Sequence, residues 1–254
     1  MKTMVYLVGA GPGDPELLTV KALRALREAD VVLHDDLVGP AILKLIPATA
    51  DIQNVGKRCG QHHITQDQIN SLMVNFAQVG LTVVRLKAGD PLIFGRAGEE
   101  IEALRRAQVA FQIIPGITAA LGAAAAAQIP LTHRRLASRL ILLTGHRAHS
   151  VSDDWQSLIS ADATLVLYMP GEDYSGVATR LQAAGLSGAT PCALISQTTT
   201  AAQQIHQTTV AELPEVAPLA PPALLIVGSV AEFATQTLSP QLGQSELMNC
   251  WAQI

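Results

Sequence analysis

Residues 83–100, VVRLKAGDPLIFGRAGEE, constrain the fold more than any other stretch of the chain. The β-branched run VVRL predicts a buried strand. Gly89-Asp90-Pro91 stops it, because neither strand nor helix continues through that triplet without a break. Gly95-Arg96 and an acidic helix start at Glu99-Glu100 follow. Strand, polar loop, helix is how an open α/β sheet presents chemistry at the carboxyl ends of its strands. The loop sets a carboxylate, Asp90, six residues before a guanidinium, Arg96. It is therefore a place to hold a ligand that carries both signs of charge.

The same alternation runs through the first half. Strand-like runs at 5–8, 31–33, 51–55, 82–86 and 111–114 alternate with helical stretches at 17–29, 41–46, 65–78 and 98–107. Leu17, Val20, Leu23 and Leu26 recur at helical spacing. Thr65 and Gln68 form a capping box at the head of the third helix. Alternating β and α elements predict parallel strands with right-handed crossovers. Pro115-Gly116 ends the run, and an Ala/Gly-rich helix at 118–128 follows, whose small side chains allow close approach of a backbone or a ligand. The pattern then restarts, with strands at 140–143, 164–168, 192–196 and 224–227 and a helix at 174–184. Residues 204–209 alternate polar and apolar as an edge strand does. Residues 214–222, with four prolines, predict a stiff connector. The expected architecture is α/β: two α/β domains, 1–115 and 116–235, with a ligand cleft between them and a polar tail at 236–254. Interdomain clefts are preferred ligand sites.

A chain of 254 residues is long enough for such a core, and only 4% of it is aromatic, so that core must be aliphatic. A net charge of −4 gives no basic footprint for nucleic acid. Cys59, Cys192 and Cys250 are odd in number and far apart, which suits a reducing cytoplasm and matches no zinc spacing. The N-terminus enters a strand at once, without an export signal, and the alanine-rich stretch 119–127 is too short to span a bilayer. These features predict a cytoplasmic protein that engages neither membrane nor nucleic acid.

The first loop leaves two readings open. Gly9-x-Gly11-x-x-Asp14 comes close to the dinucleotide fingerprint, with Asp30 or Asp35 about twenty residues on. Asp14 stands where the third glycine belongs, however. Its carboxylate would compete with a pyrophosphate for backbone N–H groups, and Pro12 stiffens the turn. A tight capped β–α turn without ligand accounts for the same residues. Among the histidines, His146-x-x-His149 has metal-compatible spacing and His62-His63 are adjacent, but no Cys or carboxylate set completes a site. No metal is expected.

Six blocks taken together are more specific: VGAGPGDPELLT at 8–19, LHDDLV at 33–38, VGKRCG at 55–60, the 83–100 stretch, IIPGITAALGAAAAAQIPLTHR at 113–134, and LVLYM at 165–169. In this order and spacing they resemble the uroporphyrinogen-III C-methyltransferases of the tetrapyrrole (precorrin) methylase superfamily, over about residues 4–232. The resemblance implies S-adenosylmethionine as methyl donor, released as S-adenosylhomocysteine. It implies two methyl transfers to carbon, from uroporphyrinogen III through precorrin-1 to precorrin-2, en route to sirohaem, cobalamin or haem d1. It also implies a homodimer with the donor bound between the domains.

By the same resemblance, Pro12, Ala88, Gly89, Asp90, Ile93, Thr118, Ala119, Met169, Thr198 and Ala223 line the donor site, largely through backbone. The implied substrate is a polycarboxylate and the protein is mildly acidic, so a local basic cluster must attract it. Arg96, Lys57, Arg58, Arg134 and Arg147 are the candidates, since Arg suits bidentate carboxylate binding. His133, inside LTHR, lies where it could touch substrate. The resemblance assigns Arg96 and Arg134 to substrate, with Glu99 orienting a pyrrole N–H. It makes Asp35 the base and Lys57 the acid for the proton loss that follows methylation. Read without it, Asp35 is a turn cap and Lys57 a surface lysine.

The chain departs from the family pattern at Ala88, where Gly is usual, and at His34, Asp36 and Gln197-Thr198. A glycine-only geometry at 88 would be strained by alanine. Two rival readings remain. One is a sister methylase acting on a later precorrin, on diphthamide or on ribosomal RNA. The other is a non-catalytic tetrapyrrole- or nucleotide-binding module. The chelatase and dehydrogenase steps of sirohaem synthesis are expected to lie elsewhere.

Overall fold

The computed structural model describes residues 4–56, 64–145, 155–156, 159–160 and 162–235. Two five-stranded sheets carry the fold. The first is built from β1 (Val5–Gly9), β2 (Val31–His34), β3 (Asp51–Asn54), β4 (Val83–Lys87) and β5 (Phe111–Ile114), in the order β3-β2-β4-β1-β5. Every pairing in it is parallel, as the alternation predicts. Between the strands lie α1 (Val20–Arg27), α2 (Pro40–Leu43), α3 (Gln66–Gln78) and α4 (Ala97–Arg106).

Both faces of this sheet are covered, so its strands read as continuous apolar runs. Odd-numbered residues (Val5, Leu7, Val31, Leu33, Val83) pack with Ile69 and Met73 of α3 and Leu104 of α4. Even-numbered ones (Val8, Val32, Val84, Leu86) pack with Leu23 and Leu26 of α1 and Ile42 of α2. The capping box at Thr65 is present, with Thr65 N donating to Gln68 Oε1 at 2.7 Å and Gln68 N to Thr65 Oγ1 at 3.2 Å. The first helix starts later than its apolar spacing predicts. Residues 15–17 form a 3₁₀ turn, Leu18 is extended, and Thr19 caps α1 by accepting from Ala22 N at 3.1 Å. A competent cap overrides the periodicity upstream of it.

The second sheet holds β6 (Arg139–Thr144), β7 (Ala163–Tyr168), β8 (Pro191–Ser196), β9 (Gln204–Thr209) and β10 (Ala223–Val227), in the order β6-β7-β10-β8-β9. The restart of a parallel pattern is only partly met: β6 and β7 are parallel, and the other pairings are antiparallel. Loop length explains one of these pairings. Residues 197–203 are too few for a crossover, so β8 and β9 must form a hairpin. β9 lies at the sheet edge, where its polar alternation places it. A sixth helix, α6 (Tyr174–Ala183), packs Val177 and Leu181 against one face. On the other face lies α5 (Ala119–Ala126), with Ala120, Ala123 and Ala124 against Val166, Ile195 and Ile226. Cys192 is buried in β8, and burial pushes its thiol up to about 12, so it stays protonated.

Among the described residues no helix is long and apolar enough to cross a membrane, and no three His, Cys, Asp or Glu side chains gather to hold a metal ion.

Candidate active site

The carboxyl ends of β1, β4 and β5 are tied into one rim. Ala10 N donates to Lys87 O at 2.7 Å. Gly11 and Gly89 then exchange both backbone bonds, at 3.1 and 2.7 Å. Asp90 accepts Leu92 N on Oδ1 at 2.8 Å and Gly116 N on Oδ2 at 3.0 Å, which fastens the loop after β4 to the loop after β5. Asp90 is thus a cross-loop clamp before it is anything else. At the start of this loop the left-handed residue is Gly89, at φ +67°. Ala88 has no positive φ, so the alanine that replaces a usual glycine carries no strain.

This geometry disposes of the dinucleotide reading of the first loop. A pyrophosphate would need free N–H groups followed at once by a helix start. Here Gly11 N is bonded to Gly89, Asp14 N donates to Thr199 Oγ1 at 3.0 Å, and Glu16 N donates to Asp14 Oδ1 at 2.9 Å. The helix begins only at Val20.

The second half closes on this rim. Pro12 and Thr198 meet at Gly122 of α5, where an added Cβ would stand 2.7 Å from Pro12 Cγ and 3.4 Å from Thr198 Cγ2. The close approach foreseen for the small-residue helix is therefore real. Ile93 packs against the second sheet's core, and Ala223 pairs with Ser196 at the end of β8. The Tyr168 hydroxyl lies 2.5 Å from Thr118 Oγ1 and accepts Ala120 N at 3.0 Å, so it caps α5 from the neighbouring sheet. The Phe94 ring lies 5.0 Å from the Tyr168 ring. Phe94, Arg96, Met169, Gln197 and Thr199 all hold a positive φ in the loops along this seam. Backbone strain of this kind gathers at ligand sites. Replacing Tyr168 with phenylalanine leaves Ala120 N–H and the Thr118 hydroxyl without their shared partner. It is expected to cost about 1–3 kcal/mol, the scale for an orphaned buried polar group, in chemical denaturation.

Behind the rim lies a cluster of four charges. Arg85 and Lys87 of β4 continue the apolar row begun by Val83 and are 2% and 3% exposed, and Glu100 of α4 is fully buried. Arg85 donates through Nε to Glu100 Oε1 at 2.9 Å, through one terminal nitrogen to Leu33 O and Leu86 O at 3.2 and 3.3 Å, and through the other to Asp35 Oδ1. Lys87 Nζ donates to Glu100 Oε1 at 3.0 Å and lies 3.9 Å from Asp35 Oδ2. Burial, aided by the Arg85 charge, pulls the Lys87 ammonium below its ordinary value. For Arg85 burial acts in the same direction, but the Asp35 and Glu100 carboxylates outweigh it and the guanidinium is held above its usual range.

Asp35 is the cluster's outlet, its side chain 29% exposed where the other three are closed off. Its peptide N–H donates to Leu86 O at 3.3 Å, and the buried His34 ring contacts its carbonyl at 3.0 Å. The sequence singled out Asp35 but not Arg85, Lys87, Glu100 or Tyr168, which the structure places around it and along the seam. The signal was present: two cations at i and i+2 in a buried strand require carboxylates on the covering helix.

Arg96 and Glu99 form a forked pair at 2.8 and 2.6 Å, each about half exposed. Their hydrogen bond holds the guanidinium above its ordinary value. Arg134 is exposed at the tip of the turn closed by the His133–Ala137 bridge, and the His133 ring lies 5.7 Å from Phe233. Lys57, Arg58, His62, His63, His146, Arg147, His149, Cys59 and Cys250 lie outside the described residues.

Comparison with known proteins gives the family. Residues 4–214 match the model of the Tetrapyrrole (Corrin/Porphyrin) Methylases, and the chain belongs to that family. It is 50% identical over 228 residues to the sirohaem synthase of Actinobacillus succinogenes, covering 89% of this chain and 48% of that protein. It is also 50% identical over 244 residues to sirohaem synthase 2 of Halorhodospira halophila, covering 94% and 48%. The chain thus spans about half the length of the curated relatives it matches. Among solved structures, the uroporphyrin-III C-methyl transferase of Thermus thermophilus in complex with S-adenyl homocysteine aligns with a TM-score of 0.79 and 37% identity, over 90% of this chain and 99% of that one. A cobalt precorrin-4 methyltransferase aligns with the same TM-score at 29% identity, over 91% and 96%.

Proposed function

We propose that this chain is an S-adenosylmethionine-dependent C-methyltransferase. It methylates uroporphyrinogen III at C2 and C7, through precorrin-1, to give precorrin-2 for sirohaem, cobalamin or haem d1. One observation carries the reading: the backbone rim of Gly89 and Asp90, Thr118 and Met169 at the seam, and the outlet carboxylate Asp35 share the carboxyl-end side of the fold, as a donor and an acidic macrocycle require. The likeness to a methyltransferase solved with S-adenyl homocysteine supports it.

The seam fits such a donor. It is lined by backbone and by apolar side chains left open, with Leu92 56%, Phe94 42% and Met169 47% exposed, which suits an adenosyl group and the apolar face of a macrocycle. Bound S-adenosylmethionine would supply an electrophilic methyl, its sulfur leaving with the bonding pair. The chain's part is alignment, the largest lever in such a transfer. Pro12, Ala88, Gly89, Asp90, Ile93, Thr118, Ala119, Met169, Thr198 and Ala223 form the donor side. Arg96, oriented by Glu99, and Arg134 draw in the ring carboxylates. Asp35 accepts the proton that the methylated ring must lose, and Lys57 serves as the acid. The working form is a cytoplasmic homodimer.

The test is anaerobic incubation of the purified protein with uroporphyrinogen III and S-adenosylmethionine, read by mass spectrometry. The expected product is a ring carrying two added methyls, with two S-adenosylhomocysteines formed per ring. An unmethylated ring, while a relative methylates it in parallel, overturns the reading. A later precorrin is the second candidate substrate, favoured by the fold shared with the cobalt precorrin-4 enzyme. Turnover of that substrate alone would select it.

A further inference from the structure

Resting on the reading above, we propose that Glu100 is a positioning residue for Asp35, acting through Arg85 and Lys87, so that the buried charges behind the rim exist to aim the proton-accepting carboxylate. Stability alone does not explain this cluster. Taking charges out of water costs several kcal/mol each, and well-packed apolar residues of similar volume serve a core at least as well. Around Arg85 this sheet face is apolar, with Leu7, Leu33 and Val83 in the same layer. The charges run along the second half of β4, from Arg85 at its centre to Lys87 at its carboxyl end, and they lead outward to Asp35 just past the end of β2.

The geometry is a chain of restraints. Glu100 Oε1 accepts Arg85 Nε at 2.9 Å, Lys87 Nζ at 3.0 Å and Gln66 Nε2 at 3.4 Å, while Oε2 has no hydrogen-bond partner among the described residues. Arg85 is then fixed on every side: Glu100 on Nε, two strand carbonyls on one terminal nitrogen, and Asp35 on the other. A planar fork held at three points cannot swing. It therefore sets the plane of the Asp35 carboxylate, and the Lys87 charge 3.9 Å away draws the second Asp35 oxygen to the same side.

The charge count makes Glu100 necessary. Two cations and two carboxylates balance. With Glu100 neutral, one buried positive charge is left over. Lys87, already pulled toward its neutral form by burial, is the group that would give up its proton. Asp35 would then lose its second restraint and Arg85 its anchor.

The experiment is a double-mutant cycle on kcat in the methylation assay, combining Glu100→Gln with Asp35→Asn. Glu100→Gln keeps the side chain's shape and one acceptor oxygen. It is expected to lower kcat by roughly 10- to 100-fold, the scale for a catalytic group displaced by about 1 Å, with KM for both reactants within about threefold. In the Asp35→Asn background the same change is expected to alter kcat by less than about twofold, because the group it aims is gone. Assays run well below each variant's unfolding midpoint separate this from loss of fold. If Glu100→Gln does not fold, Lys87→Met enters the same cycle, since it leaves the Arg85–Asp35 pair in place.

Losses that multiply in the Asp35→Asn background, or a raised KM with unchanged kcat, overturn the proposal and leave the proposed function standing. An inactive wild type beside an active relative overturns both.

Discussion

Replacing Glu100 with leucine is expected to lower the unfolding free energy by about 3–5 kcal/mol, the cost of stripping one partner from a buried ion pair. The leucine fills most of the space. The loss comes from what remains: Arg85 and Lys87, nearly closed to water, with only the partly exposed Asp35 to balance them. For a chain of this size that corresponds to a fall in melting temperature on the order of 10 °C. The diagnostic is the partner change. Adding Lys87→Met restores charge balance, because Arg85 and Asp35 still form a pair, and the double variant is expected to recover more than half of the loss. Denaturant unfolding followed by circular dichroism measures both. A loss below about 1 kcal/mol for Glu100→Leu alone would mean that water reaches the cluster and that its burial is not what holds it together.

The sequence announces such a cluster only to a reader who pairs residues across elements. Local patterns were legible because their causes are local. The β-branched runs, the Thr65 capping box and the polar alternation of residues 204–209 each act within a few residues, and each gave the observed element. Strand direction in the second sheet was not legible from periodicity, since it depends on whether a loop is long enough to cross over. For β8 and β9 the length of residues 197–203 held that answer. Glu100 read simply as part of an acidic helix start, because acidic residues favour the first turn of any helix. Its burial comes from Arg85 and Lys87, fifteen and thirteen residues earlier on another element. Asp90 and Arg96 looked like ligand-facing charges in an exposed loop. Their first partners are Gly116 N and Glu99, contacts that spacing alone does not reveal. Ala88 shows the converse. The family's glycine there suggested a backbone demand, yet the demand falls on Gly89.

The second large effect is expected at Gly116. A Cβ added there would lie 2.3 Å from Gly89 O and 2.8 Å from Gly9 Cα, and one added at Gly9 would lie 2.5 Å from Gly116 N. All of these atoms are backbone, so no rotamer change relieves the overlap. The three loops at the ends of β1, β4 and β5 pack through their glycines and must part if one of them gains a methyl. Gly116→Ala is therefore expected to cost about 3 kcal/mol or more, at or beyond the upper end for overpacking. It should also pull Gly116 N away from Asp90 and open the clamp across the proposed donor site. Affinity for S-adenosylhomocysteine, measured by calorimetry, is expected to fall at least about tenfold, equivalent to about 1.4 kcal/mol. Gly98 supplies the contrast. It sits in α4 with ordinary helical backbone, and among the described residues no atom beyond its chain neighbours and its own helix backbone lies within 4 Å of an added Cβ. Gly98→Ala is expected to stabilise the chain by about 0.5–1 kcal/mol through helix propensity and to leave the Gly9–Gly89–Gly116 packing intact. If Gly116→Ala bound the ligand as tightly as Gly98→Ala does, contact between these three loops would not be what shapes the donor side of the seam.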